Sequence, residues 1–429
     1  MEHREPWIIY ANFLSEVAVD LASHEVLEQW AAQAPRKIWL ARPGDVLVSP
    51  VPLSLDFRRY AGELLGMPYD SVAVVTVPAT PGVPMAEAVR RAGLMDELRA
   101  LIAERAGAGL LPTALDVSSV ALAAELEVPV VPYGPGAVGT GALDVTSRLN
   151  TKSGFRAAAR DLGMRLPSGQ VCRRDRLTRT VAELLARHER VVVKPDRSAG
   201  GHGVRFVSRA EHAAASWERD WPAGLVGVNG DWVVEQCLDV ARSVSVQLEA
   251  CPGSPRPMFS GEMRTCGGSF NGYVSPLADL PQDCANELGQ WGLALGRHLA
   301  GQGYAGPYGL DAVLASDGRL YATESNVRRT ATTTPHAMVG RLCRAAGLSS
   351  PAWLIANRRS RAAYGFADAV KLVRAAGLDW NTARKEGVVL YADVPADGVS
   401  WRYAVIGADH RRTADIEARL ARVMELLLP

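Results

Sequence analysis

The chain has 429 residues, more than one hydrophobic core usually organises, so at roughly 150 residues per domain it divides into about three. Apolar residues make up 48% and charged residues 22%, with 47 basic against 46 acidic side chains and a net charge of +1. These values exclude a disordered or fibrous chain, and the charge balance leaves no bulk electrostatic case for nucleic acid or a membrane surface as partner, so function must reside in a local site.

No stretch reaches the ~20 apolar residues of a membrane span. Met1 to Pro6 carries Glu2, Arg4 and Glu5 in place of a basic cap and an apolar run, so it does not read as a signal peptide, and a cytoplasmic protein is expected. The six cysteines (Cys172, Cys237, Cys251, Cys266, Cys284 and Cys343) form no CxxC pair and read as reduced thiols rather than disulfides or zinc ligands.

In chain order, the apolar runs Trp7 to Tyr10, Val46 to Val48, Val72 to Val77 and Val128 to Val131 alternate with helical patterns at Met85 to Ala106 and Val117 to Leu126. Strands alternating with helices predict a parallel sheet with crossovers over residues 1–145. A Pro- and Gly-rich stretch follows, in which Gly134 to Gly139 fits GxGxxG by letter. No acidic residue ends a following strand at the right distance, so an interdomain crossing is the better reading.

A helix is expected at Asn150 to Leu162, with Asn150 or Thr151 as its cap. Strands are expected at Val191 to Lys194, Trp232 to Glu235, Val244 to Leu248, Leu310 to Leu314 and Leu320 to Glu324. The last unit, residues 346–429, holds a helix over Phe366 to Ala376, a strand over Val388 to Ala392 and an amphipathic helix over Thr413 to Leu428.

The chemistry concentrates between residues 146 and 345. The stretch from Val191 to Val204 delivers Lys194 at the end of a β-branched strand, and Ser198, Gly200, Gly201 and Gly203 follow in a loop with unhindered backbone N–H groups. Such a loop can wrap anionic oxygens while the lysine neutralises them, although taken alone it could be an ordinary hairpin. Lys152 lies 42 residues upstream at a helix start, and Glu235 lies 41 residues downstream in Val-Val-Glu-Gln-Cys-Leu238.

Further on, Tyr308-Gly-Leu-Asp311 and Thr323-Glu324-Ser-Asn326 flank the turn Ser316-Asp-Gly318, and a hairpin there brings Asp311 and Glu324 side by side with Asn326 on the face of Glu324. Clustered carboxylates repel unless a cation lies between them, and hard oxygen ligands of this kind suit Mg²⁺ carrying nucleotide phosphates.

In this order, these motifs resemble the ATP-grasp superfamily. The resemblance implies an N-terminal parallel-sheet pre-ATP-grasp domain, an ATP-grasp fold of two α+β subdomains and a small α+β C-terminal domain. It also implies that Lys152 and Lys194 hold ATP phosphates under the Ser198 to Val204 loop, with Ser198, Gly200, Gly201 and Gly203 as its contacts. Glu235, Gln236 and Leu238 would meet the adenine edge, and Asp311, Glu324 and Asn326 would bind two Mg²⁺ ions, with Mn²⁺ as a substitute. Arg264 and Arg328 are the basic candidates for the transferring phosphate or the acyl group, and either could instead be a structural ion-pair partner.

Two departures from the superfamily pattern are visible: Ser243 stands where many members carry an acidic ribose ligand, with Asp239 as a substitute, and Gly309 stands where several carry a basic residue. The chemistry implied is a carboxylate–amine ligase working through an acyl phosphate. The region from about 360, with Gly387-Val-Val-Leu-Tyr391 and Val405-Ile-Gly407, is similar to the peptide ligases of pheganomycin biosynthesis. That similarity implies a small, nonproteinogenic guanidino acid joined to a peptide amine in natural-product biosynthesis, and the superfamily resemblance implies a homodimer, since enzymes of this architecture often pair. Joining of two amino acids, a kinase or thiol-forming reaction, and a non-catalytic nucleotide-binding protein remain alternatives.

Overall fold

The computed structural model describes residues 4–13, 15–17, 24–198, 200–214, 217 and 230–427. Met1–His3, Ala199 of the glycine loop and Leu428 of the expected last helix lie outside the described residues.

Three sheets build the molecule. The first is parallel, in the order β3-β2-β1-β4, from β1 (Trp7–Tyr10), β2 (Val46–Ser49), β3 (Ala73–Thr76) and β4 (Gly109–Pro112). β2 and β4 are buried along their whole length, as expected of parallel strands covered on both faces. The helices between them are bounded by local chemistry. Ser54 Oγ accepts from the Phe57 N–H at the start of Leu55–Leu65, which ends at Gly66 in the left-handed region, and Asp116 and Ser119 form a capping box for Val117–Glu125.

Two expectations are corrected in this unit. Val128–Val131 is not a strand: Pro129 and Pro132 cannot donate to a ladder, and only single bridges form there, with Val130 opposite Leu110. The fourth strand is instead Gly109–Pro112. The helix expected over Met85 to Ala106 divides into Met85–Arg91 and Met95–Ala103 at Gly93, whose φ is 70°.

The second sheet is antiparallel, ordered β5-β8-β6-β7, from β5 (Gly169–Arg173), β6 (Arg190–Pro195), β7 (Arg205–Ser208) and β8 (Asp231–Gln236). The helix Leu177–Leu185 buries Leu177, Val181 and Leu184 against its Val191, Val193 and Trp232.

The third sheet has eight strands: β9 (Val240–Ala250), β10 (Arg256–Cys266), β11 (Ser269–Ser275), β12 (Gly306–Ala315), β13 (Leu320–Asn326), β14 (Ala352–Arg359), β15 (Gly387–Leu390) and β16 (Ser400–Gly407). Their order is β13-β12-β9-β10-β11-β14-β16-β15, so the small C-terminal α+β unit extends the same sheet by three strands. β14 runs through the polar stretch Asn357 to Arg359. The helix Lys152–Asp161 links the small lobe to this sheet, and a cleft opens where the three sheets meet.

Candidate active site

The cleft, of about 990 Å³, is large enough for a nucleotide and a second small molecule. One wall is the β12–β13 hairpin, where Asp311 stands directly across from Glu324 and Gly309 across from Asn326. Asn326 Nδ2 donates to Asp311 Oδ2 at 3.0 Å, and Thr323 Oγ1 donates to the Asp311 carbonyl at 3.1 Å. Burial, reinforced by the neighbouring Glu324 charge, pushes the Asp311 carboxyl up to about 7. A buried carboxyl so disfavoured as an anion, beside a second carboxylate, is a site that a divalent cation would relieve. The donor set is two carboxylates and one carboxamide. All three offer oxygen donors, a set that fits a hard, oxygen-preferring cation such as Mg²⁺.

Thr151 Oγ1 caps the helix Lys152–Asp161 by accepting from the Gly154 N–H, which puts Lys152 at its first turn. Lys152 Nζ donates to the Ser198 carbonyl and to Ser198 Oγ, both at 3.0 Å, and lies 3.8 Å from Glu324 Oε2. Burial lowers the pKa of this ammonium and Glu324 partly offsets the effect. One lysine therefore ties the start of the glycine loop to the carboxylate hairpin.

Gly200, Gly201 and Gly203 have φ of 64°, 84° and 73°, in the left-handed region. A Cβ on Gly201 would lie 2.4 Å from the Gly268 carbonyl oxygen, so the loop rests on the turn between β10 and β11 with no room for a side chain. Phe270 N–H donates to the Gly200 carbonyl at 3.4 Å across the same junction. Gly200 and Gly201 line the cleft; Gly203 does not.

At the end of β8, Glu235 is 2% exposed, and its carboxylate is held by both Arg156 and Lys194. Lys194 thus reaches the cleft with a partner already in place. Arg156 also donates to the Pro167 carbonyl at 3.1 Å. Of the backbone N–H groups expected near the adenine, that of Gln236 goes to Ser168 and that of Cys237 to Arg190. Leu238 lines the cleft, and its N–H has no partner among the described residues. Ser243 lines the cleft, whereas Asp239 accepts from Ser316 Oγ at 2.7 Å and does not.

The two arginine candidates separate. Arg328 lines the cleft, and its Nη1 donates to Asn150 Oδ1. Burial lowers its pKa, while Glu324 and Asp311 act the other way. Asn150 also accepts from Val327 N–H at 3.1 Å and donates to the Val327 carbonyl at 3.2 Å, so it fixes the chain leaving the carboxylate hairpin. Arg264 is not brought to the cleft: its Nη1 bonds Glu417 at 2.7 and 2.9 Å. A register shift lies between Arg264 and Thr265, and Met263 and Thr265 on either side face the cleft. Glu262 likewise pairs with Arg242 at 2.6 Å.

Gly309 has a structural reason to lack a side chain: a Cβ there would lie 2.4 Å from Gln247 Nε2. Gln247 donates to Ser245 Oγ at 2.9 Å and accepts from Thr330 Oγ1 at 3.1 Å, so a polar side chain from β9 fills that space. Sequence reasoning missed Ser245, Gln247 and Thr330, and also Arg36, Asn357, Tyr391 and Arg402, which line the cleft from the N-terminal unit and the C-terminal strands.

A parallel-sheet unit, a small antiparallel lobe carrying a glycine loop, and a large antiparallel sheet carrying a carboxylate hairpin make up the ATP-grasp architecture. Residues 34–128 match the model of the Pre ATP-grasp domain, and residues 368–420 match that of the PGM1 C-terminal domain. Among solved structures, the fold is similar to N5-carboxyaminoimidazole ribonucleotide synthetase from Thermus thermophilus, with TM-score 0.58, 16% identity and 99% of each chain covered. It is also similar to carboxyaminoimidazole ribonucleotide synthase from Aspergillus clavatus complexed with ATP (TM-score 0.58, 11% identity, 98% of each chain). A biotin carboxylase complex with ATP from Campylobacter jejuni matches with TM-score 0.60 and 15% identity, over 99% of this chain and 92% of that one. No curated protein matches in sequence. Among the described residues no helix is long and apolar enough to cross a membrane.

Proposed function

We propose that the protein is an ATP-dependent carboxylate–amine ligase that releases ADP and phosphate. The observation that carries this reading is the convergence of Lys152, Asp311, Glu324, Asn326 and Arg328 with a glycine loop on one cleft. In the first step an oxygen of the acid attacks the γ-phosphorus of ATP, and the bond to the β-phosphate breaks with its electron pair leaving on ADP. In the second, the amine nitrogen attacks the acyl carbon, the C–O bond breaks, and phosphate departs as the amine loses a proton.

Lys152 and Lys194 would neutralise phosphate oxygens, and Leu238 N–H would orient the adenine. The loop at Gly200 and Gly201 would exclude water from the acyl phosphate, and Arg328 would stabilise the developing oxyanion. Asp311, Glu324 and Asn326 would hold Mg²⁺, which when bound supplies charge neutralisation at the phosphates. The motifs Gly387 to Tyr391 and Val405 to Gly407, with the match of residues 368–420 to the PGM1 C-terminal domain, favour a finer reading, a small nonproteinogenic acid coupled to a peptide N-terminal amine.

The test is to incubate the protein with ATP, Mg²⁺, a panel of amino and guanidino acids and a mixed peptide pool, following ADP and new masses. Amide products whose formation requires both acid and amine are expected. Glu324→Ala should abolish turnover while leaving the thermal midpoint within a few degrees of the parent. Undiminished ADP release in that variant would remove the carboxylate hairpin from the reaction.

A further inference from the structure

One wall of the cleft presents positive charge that nothing in the ATP-binding half uses. It is assembled from opposite ends of the chain. Arg36 comes from the 3₁₀ helix Ala34–Leu40; Asn357 on β14 stands directly across from Arg402 on β16; Tyr391 follows β15. All four face the cavity that also holds Asp311 and Glu324.

Arg36 is 3% exposed, packs with its guanidinium carbon 4.9 Å from the centre of the Phe13 ring, and lies beside the Tyr391 hydroxyl, which favours its charge. Tyr391 is itself fixed by the Trp39 indole N–H, which donates to its carbonyl at 2.8 Å. Two atoms of the cluster are buried without a hydrogen-bond partner among the described residues: the donor Arg36 Nε and the acceptor Asn357 Oδ1.

No carboxylate among the described residues forms an ion pair with Arg36 or Arg402, and their charges act on each other. The three acidic residues lining the cavity have other partners, Glu235 in Arg156 and Lys194, Glu324 in Lys152 and Asp311 in Asn326. Burial accordingly lowers the Arg36 pKa to about 10. A buried guanidinium beside a second one, with an unsatisfied N–H, is costly unless an anion completes it, and the planar fork of arginine matches a carboxylate.

Resting on the ligase reading of the same cleft, we propose that Arg36, Arg402 and the Tyr391 hydroxyl form a subsite for a carboxylate that does not react. Asn357 Oδ1 accepts from an N–H beside that carboxylate. A carboxylate with a neighbouring amide N–H is the C-terminal end of a short peptide, so the amine-bearing substrate is held by the end opposite its nucleophile. A cationic head on the activated acid is kept off this wall by like charge.

The probes are short dipeptides with a free C-terminus, the same dipeptides as C-terminal amides, and a dicarboxylic acid with its monoamide. Binding is measured by calorimetry on the full chain, with and without Mg²⁺ and a non-hydrolysable ATP analogue, for the parent, Arg402→Gln and Arg36→Met. Arg402 is only half-buried, so its variant remains informative if Arg36→Met fails to fold. The parent should bind the free carboxylate at least tenfold more tightly than the amide, and Arg402→Gln should erase that preference.

In turnover, Arg402→Gln should raise KM for the carboxylate substrate about tenfold with kcat changed less than threefold. Preference seen with the diacid but not the dipeptide supports the subsite and assigns the carboxylate to the acid partner. Amide formation that proceeds equally with free and amidated substrates, and equally in Arg402→Gln, overturns the subsite while leaving the ligase reading intact. Carboxylate-selective binding without any ADP release does the reverse.

Discussion

His336 stacks on Phe259 with ring centroids 4.1 Å apart and leaves Nδ1 buried without a hydrogen-bond partner among the described residues. Burial, aided by the Arg344 charge, lowers its pKa to about 4, against about 6.5 for a free imidazole. Between those two values the unfolded chain binds more protons at this position than the folded one, so its contribution to stability is complete above pH 6.5 and is lost as pH falls towards 4. His336→Phe keeps the stack and removes the proton. Its thermal midpoint should fall less than that of the parent between pH 7 and pH 5; identical slopes would show that His336 does not charge on unfolding. Not every titratable group of the molecule is this isolated. Lys152 and Arg328 are both disfavoured as cations by burial and both steadied by Glu324, so Glu324 couples the lysine at the start of the glycine loop to the arginine that follows the carboxylate hairpin.

At the scale of elements, the contact between the glycine loop and the β10–β11 turn is the clearest lever. Gly201 cannot gain a Cβ without meeting the Gly268 carbonyl at 2.4 Å, whereas a Cβ on Gly200 meets nothing within 4 Å. Both glycines have positive φ, so each alanine carries similar backbone strain, and only Gly201→Ala also lifts the loop from the turn. ATP affinity should fall about tenfold in Gly201→Ala, ~1.4 kcal/mol, and distinctly less in Gly200→Ala. Equal losses by calorimetry would mean that strain, not docking, governs the loop. The loop and the carboxylate hairpin were legible in the sequence because each is local: a strand end followed by glycines, and two carboxylates 13 positions apart around a Ser-Asp-Gly turn. Arg264 was misplaced because its strand does border the cleft but the sequence does not say which face does: Met263 and Thr265 take the cleft side, and alternation turns the Arg264 guanidinium to Glu417. Arg36, Asn357 and Arg402 carried no signal at all, since their proximity depends on β14 pairing with β16 and on a helix some 320 positions earlier in the chain.

Across the whole molecule, the apolar cores do not follow the order of the chain. One core joins a face of the parallel sheet (Ile9, Leu47 and Leu111) to Trp39, Phe57 and Tyr60 and then to Phe366, Val388, Trp401 and Tyr403 of the C-terminal unit. The β5–β8 lobe has a core of its own, built on Leu177, Val181, Leu184, Val191 and Trp232. The first and last thirds should therefore open as one cooperative unit and the lobe bearing the glycine loop as another. Trp39 tests this directly. It is fully buried, its ring lies edge-on to Phe57 at 6.2 Å and Tyr60 at 6.3 Å, and its indole N–H holds the Tyr391 carbonyl at 2.8 Å. Trp39→Ala should cost about 3–5 kcal/mol. In hydrogen exchange the added opening should appear together in β1, β2, β15 and β16, while β6 and β8 keep their protection. Faster exchange confined to residues 1–145 would mean that the C-terminal strands are stable without the N-terminal unit, and the cation-lined wall between Arg36 and Arg402 would then join two independently opening bodies.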